Sequence, residues 1–107
     1  HLSLRRQRQM CIRDRYIDWG SFRQAEIQEE KVILTNIGTD TLYINAIESS
    51  CECTTVQWAD SPVPTGECTT LTIHFRAEEE GEFERFIHVH CNVPESPIEI
   101  SVKGKVQ

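Results

Sequence analysis

Residues 68–75 read CTTLTIHF, and from residue 71 onward every second residue is apolar while the residues between are polar. Side chains of a β-strand alternate between its two faces. The pattern therefore predicts a strand that buries one face and exposes the other. The face expected to be buried carries Leu71, Ile73 and Phe75, and the opposite face carries Thr70, Thr72 and His74.

On both sides of this stretch the chain shows further short apolar segments, separated by turn-forming residues such as Gly, Pro and Asn. No segment has a helical period, and regularly spaced short strands are typical of a β-sandwich. The sequence therefore predicts an all-β protein. The predicted strands are Tyr16–Gly20, Lys31–Thr35, Leu42–Ile47, Cys68–Phe75, Phe83–Cys91 and Ile98–Val102.

Two further strands have faces that the sequence predicts residue by residue. In the strand that leads to the cysteine pair, Leu42, Ile44 and Ala46 are expected to face one way, and Tyr43, Asn45 and Ile47 the other. In the strand before the last loop, the inward set is expected to be Phe83, Ile87, Val89 and Cys91.

Residues 1–15, HLSLRRQRQMCIRDR, differ from the rest of the chain because they hold five arginines and one acidic residue and show no strand alternation. Such a basic arm could bind nucleic acid or anionic lipid, or it could be a disordered terminus. The string RRQRQMCIRDR also resembles the translation of a sequencing adapter. We therefore expect residues 1–15 to be a disordered, non-native arm that has replaced the native start, and residues 16–107 to form one domain.

The charge balance bears on possible partners. The arm contributes +4 to a whole-chain net charge of −6, so residues 16–107 carry −10. A strongly negative domain repels a phosphate backbone, and its few basic residues are scattered along the chain. Nucleic-acid binding is therefore not expected, and no apolar run approaches the length of a membrane span.

Reactive side chains cluster at short spacing in the stretch SCECT, residues 50–54, with Trp58 shortly after. If the stretch is extended, the thiols of Cys51 and Cys53 lie on one face, with their Cα atoms roughly 6.5 to 7 Å apart. The pair could hold Cu(I) or Zn(II), close as a strained disulfide, or pack as small apolar residues. Packing is the default interpretation, and a metal site at Cys51 and Cys53 is the functional alternative.

Three histidines offer a second possible metal patch. His88 and His90 alternate along one predicted strand and so share a face, and His74 lies on another strand. Imidazoles grouped in this way can bind zinc or copper, although histidines on a sandwich face are usually unligated. No Ser-His-Asp or Cys-His arrangement is indicated, so we expect the protein not to be an enzyme.

The order of these motifs resembles the bacterial family called domain of unknown function 1573, over nearly all of residues 16–107. In that family the cysteine motif usually has glycine where this chain has Glu52. The matching segments are Asp18-Trp19-Gly20, Thr35-Asn36-Ile37-Gly38, Ser50-Cys51-Glu52-Cys53-Thr54, Pro64-Thr65-Gly66-Glu67 and Gly81-Glu82-Phe83.

The resemblance implies an immunoglobulin-like β-sandwich of about seven antiparallel strands, related to major sperm protein, PapD and hydin-type domains. It further implies a non-catalytic protein-binding or structural module of an exported bacterial protein, located in the periplasm or at the cell surface. No cofactor is expected. The alternative is a copper-binding or thiol-redox protein that uses Cys51 and Cys53.

Overall fold

The described strands form two four-stranded sheets that enclose a common apolar core. The computed structural model describes residues 10–12 and 15–107, and within them no helix is long and apolar enough to cross a membrane. The strands are β1 (Met10–Ile12), β2 (Tyr16–Phe22), β3 (Gln28–Asn36), β4 (Ile44–Ser49), β5 (Thr54–Gln57), β6 (Cys68–Phe75), β7 (Gly81–Cys91) and β8 (Ile98–Val106).

The first sheet has the order β1-β3-β6-β5 and the second has the order β2-β8-β7-β4. This arrangement confirms the all-β sandwich predicted from the sequence. One pairing differs from the expected antiparallel arrangement, because β2 runs parallel to β8. Only strands joined by a tight hairpin must be antiparallel, and β2 and β8 are separated by most of the chain.

Residues 10–12 belong to the first sheet, although residues 1–15 were predicted to form a disordered arm. Met10, Cys11 and Ile12 pair with Asn36, Thr35 and Leu34 of β3. An edge strand is held by backbone hydrogen bonds, so it can form without the side-chain alternation on which the expectation relied. Residues 1–9 and 13–14, the remainder of the expected arm apart from Arg15, lie outside the described residues.

The core confirms the predicted inward faces of β6 and β7. Leu71 and Ile73 of β6 are fully buried, as are Ile87 and Val89 of β7 and Ile100 of β8. Branched aliphatic side chains from both sheets interdigitate here, and each contributes about 1.5–3 kcal/mol of burial free energy. The core therefore extends across both sheets.

The expected alternation in β4 is broken by a bulge. Ile44 pairs with Cys91 and Ala46 pairs with His90, so Asn45 is an additional residue with no partner of its own. An inserted residue reverses the faces that follow it. Ile47 consequently lies opposite Val89 and packs against the core, instead of sharing a face with Tyr43 and Asn45 as expected.

One end of the sandwich holds a smaller cluster of aromatic side chains. The rings of Phe75 and Phe83 stack with centroids 4.3 Å apart, and Trp19 lies 5.7 Å from Phe75. Cys53 packs against this cluster. The loop that carries the cysteine motif therefore packs on the aromatic cluster through Cys53.

Candidate functional site

The cysteine motif lies in the loop that crosses from β4 in the second sheet to β5 in the first. Backbone and hydroxyl groups anchor both ends of this loop. The amide of Ser50 donates to the carbonyl of Phe86, and the amide of Phe86 donates to the hydroxyl of Ser50. At the other end the amide of Thr54 donates to the carbonyl of Cys51. The position of the loop is therefore fixed against β7 and β5.

Within the loop, Cys51 and Cys53 form a disulfide with their Cα atoms 5.2 Å apart. This distance is shorter than expected for an extended strand because the residues between β4 and β5 form a turn. Of the chemistries left open by the sequence, the structure adopts the disulfide. A metal site at Cys51 and Cys53 would therefore require the bond to be reduced first.

The two sulfurs have different surroundings. The amide of Cys53 donates to Sγ of Cys51 across 3.2 Å, while Sγ of Cys53 lies 3.8 Å from the hydroxyl of Thr54. Both cysteines are half-buried, and Glu52 between them is exposed. Glu52 is therefore accessible to solvent.

A groove of about 540 Å³ opens beside Cys53. Its wall includes Phe75 and Ala77 from the end of β6 and the segment beyond it, and Ile27 lies at its rim with 62% of its surface exposed. Arg76 also lines the groove. The groove was not predicted from the sequence, although Ile27, the one large apolar residue in the run QAEIQEEK, residues 24–31, was a possible signal.

The three histidines do not form a common patch. His74 lies on β6 in the first sheet, whereas His88 and His90 lie on β7 in the second. Each has a glutamate on a neighbouring strand within 3.5 Å: His74–Glu29 at 2.8 Å, His88–Glu99 at 3.2 Å and His90–Glu48 at 3.5 Å. In the described part of the chain, no group of three or more His, Cys, Asp or Glu side chains is arranged to hold a metal ion.

The other two cysteines of the domain are free and lie away from the motif. Cys68 is exposed at the start of β6, and Cys91 is buried at the end of β7, so they belong to different sheets. Burial raises the pKa of the Cys91 thiol above its ordinary value, since the thiolate would lose its hydration. Cys91 is therefore a packing residue.

A family model described as "Protein of unknown function (DUF1573)" matches residues 10–106. No curated protein matches the chain. Among solved structures, a protein of unknown function from Porphyromonas gingivalis W83 has a TM-score of 0.81 and 21% identity, over 95% of this chain and 48% of that one. This chain thus spans about half the length of that protein.

Two further structures share the fold. A PapD-like domain of human CEP192 matches with a TM-score of 0.76 and 14% identity, over 98% of this chain and 87% of that one. WR4, a C. elegans MSP family member, matches with a TM-score of 0.58 and 16% identity, over 92% of this chain and 97% of that one. At these identities the likeness concerns the fold alone.

Proposed function

The chain belongs to the DUF1573 family, and on that premise we propose that it is a non-catalytic module of an exported bacterial protein that binds another protein by strand pairing. The observation that carries this proposal is the open edge of β5. The PapD-like and MSP-like folds of its structural relatives support a role without catalysis.

Most open edges formed by residues 15–107 carry features that discourage pairing with another chain. β2 and β4 are interrupted by register shifts, the first between Asp18 and Ser21 and the second at Asn45. The part of β3 beyond its pairing with β1 carries charged residues at positions 29–31. Bulges and charges are the usual means by which proteins protect sheet edges. These three edges are therefore poor acceptors of a partner strand.

β5 lacks both features. Its sequence, TTVQ, is uncharged, contains no proline and is rich in residues that favour strands. Its pairing with β6 is regular from Thr54 to Gln57, and among the described residues no strand lies on its other side. An extended segment of another protein could therefore add to the first sheet at this edge.

The hydrogen-bond pattern identifies the groups that a partner would meet. The amide and carbonyl of Thr54 point away from β6, because they bond to the Cys51 carbonyl and the Ser49 hydroxyl. Backbone groups of an antiparallel strand alternate in direction, so Val56 directs its N–H and C=O to the same open side. A partner strand would bond to Val56.

The proposed location is extracytoplasmic. Disulfides form and persist in oxidising compartments, so the bond between Cys51 and Cys53 supports this placement. The expected partner is a protein, since the net charge of −10 on residues 16–107 opposes nucleic acid.

Site-specific photo-crosslinking tests the proposal. A photoreactive phenylalanine replaces Gln57 on β5, and as a control it replaces Tyr16, which is 83% exposed on β2. Both proteins are irradiated with the envelope fraction of a bacterium that encodes the chain. We expect discrete crosslinked products at residue 57 that excess unlabelled protein removes. Equal products at both positions, or none at either, would contradict strand pairing at β5.

Copper binding by the cysteine motif is the alternative function. It requires the thiolates of Cys51 and Cys53, so it applies to the reduced pair only. No cofactor is included in the proposed function.

A further inference from the structure

We propose that the Cys51–Cys53 bond is a thiol–disulfide exchange site that oxidises a dithiol in a basic segment of another protein, and that Cys53 is the sulfur attacked. This activity does not depend on strand pairing at β5, and it can be tested separately.

The bond is accessible to an attacking thiol. Both cysteines are half-buried in a surface loop, and Cys53 lines the groove of about 540 Å³. Exposed disulfides are the labile ones, whereas buried disulfides resist reduction. The domain also encloses an aliphatic core made by both sheets, so its folding does not depend on a bridge that spans a single residue.

The surroundings of the two sulfurs favour one direction of attack. An incoming thiolate breaks the bond by displacing one sulfur as a thiolate, and the better stabilised sulfur leaves faster. The amide of Cys53 already donates to Sγ of Cys51 at 3.2 Å. Since a hydrogen bond from an N–H stabilises a thiolate, Cys51 is the better leaving group. Attack at Cys53 from the groove is therefore favoured.

The exchange is balanced by a dithiol on the partner. The first partner thiolate bonds to Sγ of Cys53, and the electron pair of the broken S–S bond remains on Cys51. The second partner thiolate then attacks the partner sulfur of this mixed disulfide and releases Cys53 as a thiolate. The partner loses two electrons and two protons and gains a disulfide, while Cys51 and Cys53 become a dithiol. One disulfide is transferred in each reaction.

Charge around Cys53 indicates what kind of segment would carry that dithiol. A second groove, of about 190 Å³, opens on another side of Cys53. The two grooves share Cys53, Phe75 and Glu78, and acidic side chains outnumber basic ones along them. The charged residues are Glu52, Glu78, Glu79, Glu80 and Glu82 against Arg76 and Arg85.

This acidic rim favours cationic thiols and repels anionic ones. The electrostatic interaction between the rim and a thiol acts over a few ångströms in water. We therefore expect the rate constant of exchange to change on the order of threefold per unit of thiol charge at low ionic strength. A basic protein segment would therefore be preferred over an anionic small thiol.

The test uses the full chain with Cys68→Ser, which removes the free thiol that is exposed within residues 15–107. Cysteamine, 2-mercaptoethanol and 2-mercaptoethanesulfonate, with charges of +1, 0 and −1, are mixed with the folded protein. The reaction is quenched with an alkylating agent, and tandem mass spectrometry locates each adduct. We expect the mixed disulfide on Cys53 and the alkyl group on Cys51. The rate per thiolate, divided by the rate at which the same thiol reduces an uncharged small disulfide, should fall from cysteamine to the sulfonate, because this ratio removes the intrinsic difference in nucleophilicity among the thiols.

Glu52→Gln supplies the charge control, with the exposed Glu95→Gln as a matched change away from the site. Glu52→Gln should reduce the spread of rates among the three thiols, and Glu95→Gln should leave it unchanged. Tryptophan fluorescence confirms that each variant is folded. A disulfide that resists dithiothreitol until urea unfolds the chain, or adducts found on Cys51, would overturn exchange at Cys53. Rates independent of thiol charge would overturn the basic partner.

Discussion

Nδ2 of Asn36 donates a hydrogen bond of 2.8 Å to the carbonyl oxygen of Val63, which connects the end of β3 to the segment before β6. The same amide group donates to the carbonyl of Asp40, and its oxygen accepts from the amide of Gly38. Asn36 is 1% exposed. The buried side chain of Asn36 therefore connects the loops at the end of the sandwich opposite to the disulfide by hydrogen bonds.

Asn36→Ala removes these three hydrogen bonds, among them the one that the buried amide of Gly38 donates, while the carbonyl of Val63 keeps the amide of Leu42 as a partner. We expect the free energy of unfolding to fall by about 2–3 kcal/mol, measured by urea denaturation. Asn45→Ala, at the exposed bulge of β4, is the control and should change the value by less than about 0.5 kcal/mol. If both variants lost a similar amount of unfolding free energy, the Asn36 hydrogen bonds would contribute no more to stability than an exposed asparagine does.

Gly104 allows β8 to approach its neighbours closely. A Cβ added there would lie 3.0 Å from the carbonyl oxygen of Gly20 and 3.1 Å from the ring of Phe83. Gly104→Ala should therefore displace β2 or the aromatic cluster and cost about 1–3 kcal/mol in urea denaturation. Lys103→Ala, at the exposed neighbouring position, should have little effect. Equal stability of the two variants would contradict the close packing.

The buried thiol of Cys91 predicts a pH dependence of stability. Because burial raises its pKa above the ordinary value of 9.0, the unfolded chain releases the proton at a lower pH than the folded chain does. The contribution of Cys91 to stability is therefore fully present below that value and is lost as the pH rises above it. Without oxygen, wild-type protein should lose more stability between pH 7 and pH 10 than Cys91→Ala does. Parallel pH profiles would contradict this prediction.

The copper alternative makes its own prediction. Reduced Cys51 and Cys53 offer two sulfurs, and among the described residues no third ligand joins them. We therefore expect the reduced protein to lose Cu(I) to a competing chelator, as followed by native mass spectrometry. One copper ion that wild-type protein retains, and that the double variant Cys51→Ser, Cys53→Ser does not, would instead establish the metal site.

Six of the strands could be predicted from short apolar or alternating segments, whereas β5 (Thr54–Gln57) was not predicted because four residues are too few to show a clear alternation. The alternation of Leu71, Ile73 and Phe75 records the burial of one side of β6, and the structure confirms it. The bulge at Asn45 could not be predicted, because an inserted residue leaves both flanking segments locally regular. β1 was missed since its pairing with β3 depends on backbone groups that every sequence has.

The candidate site was only partly visible in the sequence. Spacing identified Cys51 and Cys53 but could not choose among disulfide, metal site and packing, because the choice depends on the turn between β4 and β5. The groove could not be predicted at all. It arises where the register places Gln28 and Thr54 on either side of Phe75, which brings Ile27 towards the cysteine loop. Such long-range pairing has no local signal.

Amide hydrogen exchange at Val56 reports directly on strand pairing at the edge of β5. In the free protein its N–H faces the open edge of β5 and should exchange faster than the N–H of Thr55, which faces β6. When a partner captured through residue 57 is bound, we predict that the amide of Val56 exchanges more slowly, while the exchange rates of the β2 amides do not change. Unchanged exchange at Val56 in the complex would contradict strand pairing at this edge.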